Sequence, residues 1–125
     1  MTEPRIIVVE DDHQLREIIA ETLREDGYAV ETAGNGQVAL GLVRRFTPDL
    51  LVIDLMMPHM NGEEFTVQVR QIEGLESVPI IVVSAARSGP ELGARIGAVD
   101  YLGKPFDLFE LTERINQLLR PATTR

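Results

Sequence analysis

The sequence has no cysteine among its 125 residues, which excludes both a disulfide framework and a thiolate zinc site. Long apolar runs are missing as well. The longest unbroken one is four residues, Ile6-Ile7-Val8-Val9 being an example, whereas a membrane helix needs about 20. Basic residues are scarce: 12 Lys and Arg stand against 20 Asp and Glu, a formal net charge of −8. That balance argues against direct binding to nucleic acid or to an anionic membrane. The opening Met1-Thr2-Glu3-Pro4-Arg5 is followed by no apolar stretch of signal-peptide length. Together these absences point to a cytoplasmic protein.

What is present suffices for a packed core. With 44% apolar residues the chain is not disordered overall, and at this length it makes one domain, which buries roughly two-thirds of its unfolded surface. The expected unit is residues 1–125, with a core over about residues 5–119. The polar tail Arg120-Pro121-Ala122-Thr123-Thr124-Arg125 reads as a frayed end or the start of a linker.

Three runs share one composition: Ile6-Ile7-Val8-Val9, Leu50-Leu51-Val52-Ile53 and Ile80-Ile81-Val82-Val83. Continuous β-branched runs of this kind suit strands buried on both faces of a parallel sheet. Tyr28-Ala29-Val30 and Val99-Asp100-Tyr101-Leu102 are weaker candidates for two more strands. Helical stripes lie between. Leu15, Ile18, Ile19 and Leu23 form one, with Asp12 as its N-cap and Gly27 at its end. Ala39, Leu42, Val43 and Phe46 form a second, entered at Asn35 and closed before Pro48. Phe65, Val69 and Ile72 mark a third. Leu108, Leu111, Ile115, Leu118 and Leu119 mark the last, with Asp107 and Glu110 spaced as a capping box.

The fourth helix has only Leu92 and Ile96 as apolar marks, among Gly89, Pro90, Gly93 and Gly97. Pro90 suits a first helical turn and Gly97 a C-terminal cap, while an interior Gly93 costs about 1 kcal/mol relative to Ala. A short, labile helix is expected. Strands alternating with helices imply right-handed βα units and a doubly wound α/β fold, a five-stranded parallel sheet with helices on both faces.

The residues that terminate the apolar runs are the informative ones. The first run ends in Glu10-Asp11-Asp12, the second in Asp54, the third in Ser84, and the fifth strand in Lys104-Pro105. In an open parallel sheet the C-terminal strand ends share one edge, where ligands bind at the topological switch point. Three carboxylates, a hydroxyl and an ammonium therefore converge. Carboxylates that close repel one another unless a cation intervenes. Mg²⁺ takes oxygen ligands and is typically held by one or two carboxylates with phosphate oxygens. Such a site suits a phosphoryl group: Lys104 and the metal offset its charge, Ser84 donates a hydrogen bond, and Asp54 is the nucleophile. Taken singly the residues also have plain readings. Asp12 is a helix cap, Ser84 satisfies nearby backbone, and Lys104 is a solvated lysine. An Asp closing a four-residue apolar run is harder to explain without a partner.

The ordered set Val8-Val9-Glu10-Asp11-Asp12, Asp54-Leu55-Met56-Met57-Pro58 with Met60 and Gly62, Ser84-Ala85, Gly97-Ala98 and Tyr101-Leu102-Gly103-Lys104-Pro105-Phe106 resembles the receiver domain of bacterial two-component response regulators. The resemblance implies strand order 2-1-3-4-5 in a flavodoxin-like fold. By it, Asp54 matches the phosphoacceptor, Asp11 the carboxylate that binds Mg²⁺ (or Mn²⁺) directly, and Glu10 its neighbour acting through water. Met56 lends its backbone carbonyl to the metal. Ser84 matches the switch hydroxyl, Lys104 the phosphate-contacting lysine, Pro105 the residue after a cis peptide, and Tyr101 the aromatic that turns inward when Ser84 is drawn to the phosphate. The implied partners are a sensor histidine kinase or phosphotransfer protein and a downstream effector or fused output domain. A homodimer through helix 4, strand 5 and helix 5 is a further implication, with Asp100 and Arg114 matching a charged pair some regulators use there. Such a domain assists its own phosphotransfer but is not a turnover enzyme.

Departures from the pattern carry expectations too. Met56 and Ala86, two past the acceptor and two past the hydroxyl, are apolar and do not activate water, which predicts a long-lived aspartyl phosphate. Val99 stands where dimerising regulators often have an acid, and the Gly-rich stretch from Ser84 to Lys104 is slightly shorter than in the family. Among rival readings, an Mg²⁺-dependent phosphatase would carry a second Asp where Met56 stands. A flavodoxin-like nucleotide binder would offer Gly, Ser or Thr where Glu10-Asp11-Asp12 repels a phosphate. A receiver-like interaction module that is never phosphorylated is the alternative kept. His13 and His59 lack zinc-ligand spacing and read as surface residues.

Overall fold

The computed structural model describes residues 3–57 and 60–119. Met1, Thr2, Pro58, His59 (expected at the surface) and residues 120–125 (expected to fray or begin a linker) lie outside the described residues. Strands and helices alternate: β1 (Arg5–Val9), α1 (His13–Glu25), β2 (Ala29–Ala33), α2 (Gly36–Arg45), β3 (Leu50–Asp54), α3 (Gly62–Arg70), β4 (Ile80–Ser84), α4 (Gly89–Arg95), β5 (Asp100–Gly103) and α5 (Leu108–Leu119). All five strands pair in parallel in the order β2-β1-β3-β4-β5.

The continuous apolar runs are explained by two cores. Successive side chains of a strand point to opposite faces, and here both faces are covered. Ile7, Val9, Leu51, Ile53, Ile80 and Val82 pack with Ala39, Leu42 and Val43 of α2 and Phe65 and Val69 of α3. Their neighbours Ile6, Val8, Leu50, Val52, Ile81 and Val83 pack with Ile19 and Leu23 of α1 and Leu111 and Ile115 of α5. Each such side chain, once buried, contributes about 1.5–3 kcal/mol.

Several expectations shift. Ile18 and Leu118 lie beside the buried stripes of α1 and α5, 50% and 44% exposed, because a 3.6-residue period buries only one arc of each helix. Ile72 falls past the end of α3, where it packs partly against the core. Strand β2 starts one residue later than expected and runs on through Glu31-Thr32, polar residues that this edge strand leaves exposed and half-buried. β5 starts at Asp100, leaving Val99 exposed. The Asp107–Glu110 capping box does not close: Asp107 accepts the Phe109 N–H at 2.8 Å, but Glu110 turns to Arg114 at 2.8 Å. Asp12, Asn35 and Asn61 do cap α1, α2 and α3, each accepting a backbone N–H three residues on. α4 is short at seven residues, with Pro90 in its first turn, no side-chain cap at Ser88, and Gly97 at φ +78° just past its end.

Candidate functional site

The C-terminal ends of β1, β3, β4 and β5 share one edge, and the polar residues that stop the apolar runs gather there. Glu10 follows β1, its N–H bonded to the Ala33 carbonyl at 3.0 Å, so the ladder with β2 holds it in place. Its side chain is buried. Asp11 beside it is exposed, and Asp12 turns away to cap α1 with its side chain while its N–H donates to Glu10 Oε2 at 3.1 Å. Asp54 closes β3 and is 3% exposed. One of its oxygens accepts the Met56 N–H at 3.0 Å, and the other accepts from Lys104 Nζ at 2.9 Å.

Lys104 links the two buried acids. Its Nζ lies 2.9 Å from Asp54 Oδ2 and 2.9 Å from Glu10 Oε1. The Lys104–Pro105 peptide is cis, and the Lys104 N–H donates to the Ser84 carbonyl at 2.9 Å. Glu10, Asp11 and Asp54 can each offer one oxygen so that all three lie within 4.8 Å of one another. Three carboxylates and one ammonium thus meet, and burial adds to their repulsion. Burial pushes the Glu10 carboxyl above its ordinary value, and the charge of Asp54 pushes the same way. The Lys104 and Asp12 hydrogen bonds and the ammonium charge pull it back without cancelling the rise. Burial alone would lower the Lys104 ammonium, but its bonds to Glu10 and Asp54 and their charges outweigh that and leave it raised.

The donor set fits a hard divalent cation. Glu10 Oε1 is buried with no hydrogen-bond donor, its contact with Lys104 being charge without bonding geometry. A buried lone pair of that kind beside two further carboxylates is what an oxygen-seeking ion such as Mg²⁺ satisfies.

Ser84 is at the same edge but not in the cluster. Its hydroxyl is buried and accepts the Ala86 N–H at 3.1 Å, and no bond joins it to Asp54 among the described residues. Tyr101 is half-buried, its O–H donating to the Ser84 carbonyl at 3.2 Å. Met56 is 60% exposed. Two residues of the site carry little signal in the sequence. Arg16 on α1 donates to the Glu10 carbonyl at 2.9 Å and to His13 Nδ1 at 2.9 Å. Gly89 lies against the hydroxyl-bearing edge of the Tyr101 ring. Arg16 is four residues past the Asp12 cap, a helical neighbour, and that spacing is the only clue to it.

A family model for the response regulator receiver domain matches residues 6–116. The chain belongs to this family. Among relatives of this receiver domain, response regulator MprA of Mycobacterium leprae is 45% identical over 118 residues, covering 93% of this chain and 51% of that protein. MprA of Mycobacterium tuberculosis is 44% identical over 119 residues, covering 93% and 50%. The receiver thus spans about half the length of the curated relatives it matches. Among solved structures, the chemotaxis protein CheY4 of Vibrio cholerae superposes with a TM-score of 0.87 at 29% identity, covering 94% of this chain and all of that one. The non-phosphorylated HemR receiver domain of Leptospira biflexa gives 0.84 at 31% identity, covering 98% and 99%. This chain is therefore a receiver domain of the two-component response regulators, with their five-stranded fold. No helix among the described residues is long and apolar enough to cross a membrane.

Proposed function

We propose that this receiver domain is a phosphorylation switch whose acceptor is Asp54. The observation that carries the reading is the Asp54 carboxylate, 3% exposed at the end of β3, with Lys104 Nζ at 2.9 Å and the Glu10 and Asp11 carboxylates beside it. Two more acids beside a buried carboxylate repel it, a cost that a purely structural ion pair with Lys104 does not require. An oxygen of Asp54 attacks the phosphorus of a phosphohistidine on a sensor kinase or phosphotransfer protein. The P–N bond breaks and the leaving imidazole nitrogen takes up a proton. Asp11, Glu10, Asp54 and the Met56 backbone carbonyl are the groups that hold Mg²⁺, which when bound offsets the negative charge shared between acids and phosphoryl group. Lys104 exchanges its hold on the Asp54 carboxylate for the incoming phosphoryl oxygens. Ser84 releases the Ala86 N–H and donates its hydroxyl to the same group.

The domain turns itself over only in this stoichiometric sense and is not an enzyme acting on a separate substrate. Its product carries about −1.5 to −2 charge at neutral pH if it behaves as other phosphorylated side chains do. The change is read on the face of α4, β5 and α5, by an effector protein, a fused output domain or a second copy of the receiver in the cytoplasm. On that face Arg114 pairs with Asp100 and Glu110, and Val99 and Phe109 are exposed.

Metal titration tests the site. Asp11→Asn and Asp54→Asn each weaken Mg²⁺ binding by more than tenfold, the loss of about 1.4 kcal/mol or more that removing a charged ligand entails, while Ser84→Ala leaves it unchanged. Wild-type affinity in Asp11→Asn would remove Asp11 from the metal's ligands and the reading with it.

A further inference from the structure

A close approach outside the carboxylate cluster joins β5 to the first turn of α4. A β carbon built on Gly89 would stand 2.6 Å from both Cε1 and Oη of Tyr101 and 2.9 Å from Cζ. The tyrosine ring therefore occupies the volume that the side chain of any other residue at position 89 needs. Gly103 borders the same slot, its β carbon position 3.4 Å from Oη. Gly89 itself is buried, and it is not among the glycines with positive φ. Its backbone does not call for glycine, and alanine would favour the helix. Space for the ring is what remains to explain it.

The ring also sits inward while the Ser84 hydroxyl is still held by its own loop, accepting the Ala86 N–H at 3.1 Å. Tyr101 is fixed instead by its bond to the Ser84 carbonyl, a backbone group that does not depend on where the hydroxyl points. Ring and hydroxyl are thus arranged independently.

We propose that Gly89 is a positioning residue that lets Tyr101 rest in this slot before any phosphoryl group arrives. Its meaning for signalling rests on the phosphorylation-switch reading, but the slot does not. A modification shifts an equilibrium only by its differential effect on the two states. With the ring already inward, phosphorylation has little of that shift left to supply. A partner that recognises the inward ring then finds it on the unphosphorylated protein. A β carbon at position 89 reverses this, because swinging the tyrosine outward accommodates it more easily than moving backbone does.

The test is NMR of the tyrosine rings of the whole chain with no phosphodonor, reading line broadening by a soluble gadolinium chelate. Tyr28, buried and bonded to Asn116, is the internal reference. The wild-type Tyr101 ring is expected to be protected. Gly89→Ala should raise its broadening several-fold, and Gly93→Ala, whose new β carbon meets only ordinary contacts at 3.9 Å, should leave it as in wild type. Equal broadening of Tyr101 in wild type and Gly89→Ala overturns the proposal. Where Gly89→Ala does not fold, the Tyr101→Ala background decides. There Gly89→Ala should raise the urea midpoint, as Gly93→Ala does, and a fall in that background also overturns it. Because no phosphoryl group enters these measurements, an Asp54 that is never phosphorylated leaves their outcome untouched.

Discussion

Lys104 is the one cation within reach of two buried carboxylates among the described residues, and the electrostatics of the site turn on it. Replacing it with alanine leaves Glu10 and Asp54 facing each other without a counter-charge. Lys104→Ala should lower the stability of the metal-free protein by about 1–3 kcal/mol in urea unfolding, a cost set by uncompensated buried charge. The pH dependence comes from Glu10, whose folded-state value is raised above 4.5 by burial first and the Asp54 charge second. The folded protein holds that proton more tightly than the unfolded chain. This group's contribution is therefore fully present below 4.5 and is lost as pH climbs through the raised value, the reverse of an ordinary paired carboxylate. A pH series comparing wild type with Glu10→Gln should show the difference moving in wild type's favour as pH falls. Lys104, also raised, keeps its contribution below 10.5 and loses it only as pH rises through its higher folded value. Met56 bears on lifetime. With apolar side chains there and at Ala86, neither position orients an attacking water, so an aspartyl phosphate on Asp54 should outlast seconds, and Met56→Glu should shorten its decay several-fold. A wild-type decay within seconds would show that water is activated by another group.

Two glycines make opposite predictions at the scale of the helices. Gly62 opens α3 against the end of β3, and a β carbon there would lie 2.9 Å from the Leu55 Cα, which is backbone and cannot step aside. Gly62→Ala should therefore destabilise by about 1–3 kcal/mol and displace the segment after Asp54. Gly93, in the interior of α4, has room for a methyl group, and Gly93→Ala should stabilise by up to about 1 kcal/mol, raising Tm by about 3–6 °C for a domain of this size. Calorimetry of the two variants reads both signs. The elements show what sequence can and cannot reveal. β1, β3 and β4 are legible because a sheet covered on both faces demands continuous apolar runs, and the polar residue that stops each run marks the edge where the acidic cluster lies. Glu31-Thr32 in β2 is not, because an edge strand accepts polar side chains and so loses the pattern. The open capping box at Asp107 misleads for a related reason: spacing allows Glu110 two partners, and Arg114 one turn along wins it.

The whole molecule brings to one edge residues that lie far apart in the chain, and the convergence of Glu10, Asp11, Asp54 and Lys104 is readable because parallel topology alone places strand ends together. Distances within that edge are not readable. Chain order draws Ser84 into the cluster, whereas its hydroxyl satisfies the Ala86 N–H instead. The roles of Arg16 and Gly89 depend on three-dimensional approach that no periodicity encodes. The net charge of −8 disfavours attraction of the domain as a whole to phosphate backbones. Acceptance of a phosphoryl group by Asp54 at this edge is read directly in the intact mass of the chain after incubation with acetyl phosphate and Mg²⁺, for wild type and Asp54→Ala. One added phosphoryl group is expected on wild type, absent without Mg²⁺ and absent in the variant. No adduct on wild type under these conditions, or an adduct that persists in Asp54→Ala, would contradict the assignment of Asp54 as acceptor.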